Sequence, residues 1–233
     1  MTTALAAGAA LVSLAFAFST YERWLVRRRS YELTWTIAFV LFCLGALSLA
    51  WGSAAGWSGA SFRAFYLFGA IINVPFLAVG QLELLSKRRW IRHLRPAMGL
   101  LAAFAAGVLV TSPMRAEVPA DRLPQGSEVF TALPRILAAL CSAGGATVVF
   151  AGAAWSTIAL LRLQVRGGGA SGMGQRAIGT GLITLGTIVL SLSGVLNNRF
   201  GAMKAFAITL TAGVCILFVG FLVTTLPPRT KRA

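Results

Sequence analysis

Long apolar runs dominate this chain. Seven of them, at 4–19, 33–51, 64–82, 97–111, 136–161, 177–196 and 205–226, read as membrane-spanning helices, because a helix needs about 20 residues at 1.5 Å each to cross the hydrocarbon of a bilayer. A soluble fold is excluded by the balance of residue types: 12% are charged and 57% apolar, against roughly a quarter charged in a soluble domain. The runs at 4–19 and 97–111 sit near the lower limit of about 17 residues, and a flanking polar turn would lengthen them. The prediction is all-α, a polytopic bundle of seven transmembrane helices forming one domain over 1–233, with no soluble domain.

If all seven runs span, the connections alternate sides, and Lys and Arg collect on alternate connections. Residues 20–32 carry Arg23, Arg27, Arg28 and Arg29, and residues 83–96 carry Lys87, Arg88, Arg89, Arg92 and Arg95. With Arg162, Arg166, Arg176, Arg229, Lys231 and Arg232, fifteen of the 21 basic residues fall on one side. Arg63, Arg115, Arg122, Arg135, Arg199 and Lys204 fall on the other. The positive-inside rule then puts the N-terminus outside and the C-terminus in the cytoplasm, a multi-pass protein of the plasma membrane. Tyr21, Trp24, Tyr31 and Trp90 mark the inner head-group level, Trp51 and Trp57 the outer one. A cleaved signal peptide is the rival reading of residues 1–19. Met1-Thr2-Thr3 lacks the positive charge that such a peptide carries at its start.

The net charge of +15 would suggest nucleic acid in a soluble protein. Here the basic residues lie in short links between apolar runs, so their expected partners are anionic lipid head groups at the inner loops and a membrane-protein partner, with no nucleic acid. The longest link, 112–135, is an outer loop holding Pro113, Pro119, Pro124 and Pro134, and it reads either as a lid or as a plain connection. The Gly-rich link 167–174 lacks the Lys and Ser or Thr of a phosphate-cradling loop.

Catalytic chemistry is sparse, which points away from an enzyme. His93 is the sole histidine, so a His-rich metal site or paired-His haem ligation within the chain is excluded. Cys43, Cys141 and Cys215 have no paired spacing and read as small core residues. No metal or cofactor is expected. The six carboxylates lie at span ends or in the outer loop, whereas proton-coupled carriers usually place one near the midplane. Glu32 and Glu83 are expected to pair with neighbouring arginines. Lys204 precedes the last span, which disfavours a retinal Schiff base.

Two polar rows remain. Arg63, Tyr66, Asn73, Leu77 and Gln81 fall at offsets 0, 3, 10, 14 and 18, one face of a helix. Pro75 lacks an N–H and is expected to free the carbonyl of Ile71, four residues back. Thr180, Thr184, Thr187, Ser191 and Asn198 form a second row on the sixth span. One reading is a ligand site built from Arg63, Tyr66, Asn73, Pro75, Gln81 and Asn198, with Asn197-Asn198-Arg199 near the level of Arg63 in an outer vestibule. The other is packing: an interhelical hydrogen-bonded seam, with small residues such as Ser142, Gly145, Gly152, Gly213 and Gly220 allowing close approach.

The segments FRAFYLFGAIINVPFLAVG at 62–80 and TWTIAFVLFCLGALSLAWG at 34–52 resemble the small, functionally uncharacterised integral membrane proteins common in actinobacteria. The resemblance implies a plasma-membrane location and brings no activity or site residue. In helix count and orientation the chain is also similar to small sugar carriers of the SWEET and PQ-loop type. Those carry a proline in the first helix of each repeat, and the first and fifth spans here have none. Seven-helix sensor modules of bacterial histidine kinases are similar in helix count alone. The expected function is therefore non-catalytic binding of a small molecule or lipid, in a regulatory or accessory role. A small-solute or lipid carrier not driven through a midplane carboxylate is the alternative.

Overall fold

The computed structural model describes residues 2–86, 88–120, 122–165, 178–179, 181–190 and 203–225. Their elements are α1 (Thr2–Arg27), α2 (Ser30–Ala55), α3 (Gly59–Leu85), α4 (Leu94–Thr111, entered through a 3-10 turn Arg89–His93), the single turn α5 (Gly126–Val129), α6 (Ala132–Val165), α7 (Gly181–Leu190) and α8 (Met203–Thr225). Among the described residues there is no strand, only one isolated bridge between Met114 and Phe130. Six helices are long and apolar enough to cross a membrane: α1, α2, α3, α4 with its 3-10 lead, α6 and α8. This is the build of a multi-pass membrane protein. The predicted sixth span, 177–196, coincides with α7, whose described part is ten residues long and apolar; the rest lies outside the described residues.

The helices outrun the apolar windows. α1 continues to Arg27 and α4 gains the Arg89–His93 turn, which lengthens both short segments, because basic side chains at a helix end reach the head groups without breaking backbone hydrogen bonds. α6 starts at Ala132 rather than 136, with Pro134 in its first turn, where a missing N–H costs nothing.

Small residues recur on the buried faces of the helices. On α1, Ala6, Ala9, Ala10, Ser13, Phe16, Ala17 and Thr20 are buried, while Leu11, Leu14 and Phe18 are exposed to the bilayer side. Lipid tails are as apolar as leucine, so helix association relies on close packing at small residues. α2 meets α3 at a glycine pair: a Cβ on Gly45 would lie 3.0 Å from the Gly69 nitrogen. α7 meets α8 in the same way, since a Cβ on Gly186 would lie 2.8 Å from the Leu217 nitrogen.

One end of the bundle is basic, carrying Arg23, Arg27 to Arg29, Arg88 and Arg95. Two buried carboxylates there are paired as expected. Glu32 Oε1 lies 3.6 Å from Arg23 Nε, and Glu83 accepts from Arg95 Nε at 3.0 Å and from Thr34 Oγ1 at 2.9 Å. At the opposite end, the loop end, the 112–131 segment folds down on the bundle. Arg115 N–H donates to Val129 O at 2.8 Å, Trp57 N–H donates to Ala120 O at 3.2 Å, and Leu123, Val129 and Phe130 are buried. Trp57, expected at the head-group level, is only 5% exposed and packs edge-on against Phe62 and Phe65. A Cβ on Gly52 would overlap its ring, so the glycine makes room for it.

Candidate functional site

α3 is not a regular helix. Gly59–Phe65 is α-helical behind a capping box made by Ser58 and Ser61, Tyr66–Ile72 widens into a π-helical turn, and Asn73–Leu85 is α-helical again. Pro75 explains the change of winding, because it has no N–H to offer either the carbonyl four residues back or the one five back. Ile71, expected to have its carbonyl freed, lies within that π-helical turn. The carbonyl that receives an outside donor is that of Ala70, five residues before Pro75, and its donor is the Ser142 hydroxyl of α6. Ser142→Ala is expected to leave that carbonyl unpaired and lower stability by about 1–2 kcal/mol, measured as the unfolding midpoint in detergent.

The π-helical turn and the start of the following α segment face a cavity of about 880 Å³ lined by α1, α2, α3, α6, α7 and α8. Phe42, Leu77, Phe206, Leu210 and Leu217 make its wall mostly apolar. Phe16, Phe39 and Phe221 give it an aromatic wall on the α1, α2 and α8 side. Phe16 stacks on Phe39 with centroids 3.8 Å apart, and Arg23 sits 4.9 Å over the Phe221 ring. Toward the loop end it is bordered by residues 124–127, and Gly126 lies so close to the Tyr66 hydroxyl that a Cβ there would come within 2.6 Å of it.

Three of the predicted site residues, Tyr66, Asn73 and Gln81, do line this cavity as one row. Asn73 is 3% exposed and its Oδ1 has no hydrogen-bond partner. Gln81, also buried, packs against Gly152, where a Cβ would lie 2.7 Å from Gln81 Cγ. Arg63, placed in the site by its register, borders the loop instead. Its Nη2 donates to Ser112 O at 3.0 Å, tying α3 to the end of α4. The reason is its position nearly three turns from Asn73, at the height where α4 ends. Pro75 is buried behind the cavity against Gly145, not on its wall. Asn198 lies outside the described residues, as do Thr180 and Ser191.

Three contributors escaped the sequence reading. Ser142 appeared only as a small packing residue, yet it faces the cavity while holding Ala70. Thr187 belonged to a row read chiefly as packing; it is buried on the cavity wall, with its hydroxyl donating to Ile183 O at 2.8 Å. Arg135 lines the cavity at the start of α6, close enough to act electrostatically on the Tyr66 hydroxyl. The available signal for Arg135 was a lone cation directly after Pro134, one helical turn from the loop.

Reactive groups do not converge here. Among the described residues no three His, Cys, Asp or Glu side chains come together as a metal site, and no carboxylate borders the cavity. His93 is exposed in the 3-10 turn at the basic end, and Cys43, Cys141 and Cys215 are free thiols. The arrangement is suited to holding a molecule by shape and a few polar contacts. In comparisons with known proteins, no family matches the chain, and no curated protein or solved structure is significantly similar to it.

Proposed function

We propose that this is a seven-span plasma-membrane protein, N-terminus outside and C-terminus in the cytoplasm, that binds a small molecule or lipid inside its bundle and acts as a regulatory or accessory protein without catalysis. The observation that carries this reading is the unpartnered carbonyl of Asn73 in an apolar cavity of about 880 Å³, within the range of roughly 300–1,000 Å³ usual for small-molecule sites. A buried acceptor left without a partner costs about 1–3 kcal/mol, which an occupant that donates to it removes. The seventh span is supported by the apolar helix Gly181–Leu190, and the orientation by the fifteen basic residues on one set of connections. In that orientation the basic end meets anionic head groups of the inner leaflet and offers a charged face to a membrane partner.

The test is native mass spectrometry of protein extracted with its own lipid. The expected result is one discrete adduct per copy, lost in Ala146→Trp, whose side chain would fill the cavity from α6. A wild-type protein with no adduct, or an Ala146→Trp protein that keeps it, would overturn the reading.

A carrier is the second reading, favoured by one observation: a polar row of Tyr66, Asn73 and Gln81 lines the cavity, from Tyr66 at the loop end to Gln81 toward the basic end. It predicts solute or lipid flux in liposomes containing the purified protein alone. Adduct retention without flux across a broad panel would decide for binding.

A further inference from the structure

The polar groups of the cavity differ in what the protein itself gives them. Ser142 and Thr187 are engaged with backbone carbonyls. Asn73 Oδ1 has nothing. Arg135, exposed at the rim, is the one charged side chain among the described residues that line the cavity, and among the described residues it has neither an ion pair nor a hydrogen bond. The loop carboxylate Glu128 is already held by Arg122 at 3.2 Å. An acid group and a hydrogen-bond donor are therefore what the cavity lacks, the first at its loop end and the second deeper.

We infer, building on the binding reading above, that the occupant is a single-chain anionic amphiphile: its acid group meets Arg135, an adjacent hydroxyl or amide N–H donates to Asn73 Oδ1, and its hydrocarbon chain runs along the aromatic wall of Phe16, Phe39 and Phe221. A guanidinium at the edge of an apolar wall favours a phosphate or carboxylate, which it can grip with two parallel N–H donors. Asn73 then discriminates between an amphiphile that carries a donor and one that does not, since only the first satisfies the buried carbonyl. Length agrees. Fifteen residues separate Tyr66 from Gln81, about 22 Å along a helix axis. One acyl chain fills about 15 Å, half of the hydrocarbon core of a bilayer, and the remainder accommodates the polar part. The stacked Phe16 and Phe39 rings, with Phe221, offer that acyl chain aromatic contact on the α1, α2 and α8 side.

Three probes of equal chain length separate the contributions: 1-palmitoyl lysophosphatidic acid, its 2-deoxy analogue, and 1-monopalmitoylglycerol, each titrated against the full chain in nanodiscs and read by native mass spectrometry. The phosphate-bearing probe is expected to bind about tenfold or more tighter than monopalmitoylglycerol, a preference lost in Arg135→Gln. The 2-deoxy analogue is expected to bind about tenfold weaker than its parent to wild type, and equally well to Asn73→Leu. Equal binding of monopalmitoylglycerol, or of the deoxy probe, to wild type overturns the inference. The wild-type comparison decides even if Asn73→Leu does not fold. A native adduct that none of the probes displaces defeats the inference and leaves the binding reading standing; no adduct and no bound probe defeats both.

Discussion

Arg95→Ala is expected to destabilise the protein by about 3 kcal/mol, the lower end of the cost of breaking a buried ion pair. The Glu83 side chain is 3% exposed and accepts from Arg95 and Thr34, so removal of the arginine strands a carboxylate with one hydroxyl for company. The lower end applies because Arg95 is itself 29% exposed and its charge is partly solvated. The loss reads as a fall in the unfolding temperature of roughly 6–12 °C for a chain of this size. Adding Glu83→Gln should recover most of it, because a neutral amide still accepts from Thr34 and carries no charge to desolvate. A double variant no better than Arg95→Ala would show that the guanidinium contributes packing, not charge compensation.

Gly145→Leu is the second large effect, expected to cost about 3 kcal/mol or more. A Cβ at this position would lie 2.9 Å from the Val74 carbonyl carbon and 3.0 Å from the Pro75 nitrogen. Those atoms are backbone, and Pro75 has no alternative φ to relax into. The adjacent residue supplies the control: a Cβ on Gly144 meets nothing within 4 Å. Gly144→Leu should therefore be neutral or slightly stabilising, since leucine is the better helix former. Equal losses at the two positions would mean that α6 does not pack on the proline of α3 through Gly145.

These contacts also show where sequence reading succeeds. The register of Tyr66, Asn73 and Gln81 follows from helical periodicity alone, and that row does face the interior. Arg63 shared the register and not the environment, because its depth along α3 puts it beside the end of α4, where a carbonyl of Ser112 takes it. Pro75 announced a disturbed backbone upstream, and the π-helical turn there presents the Ala70 carbonyl to a donor from another helix. Nothing local to α3 could say so, for the donor sits 72 residues away in sequence. The pairing of Glu32 and Glu83 with arginines was legible because a charge at a span end needs a partner within reach.

What the sequence determined by itself was the helical membrane class and the inward face of α3. These follow from solvent: lipid demands internally bonded backbone and apolar surface, and both demands are written residue by residue. Only the tertiary structure decided that the 112–131 segment folds down onto one end of a cavity, that Phe16, Phe39 and Phe221 line its wall, and that Asn73 lines it with a buried Oδ1 left without a partner. Those features depend on distances between helices far apart in sequence. Such distances are set by which glycine meets which backbone, a matching that no single segment contains.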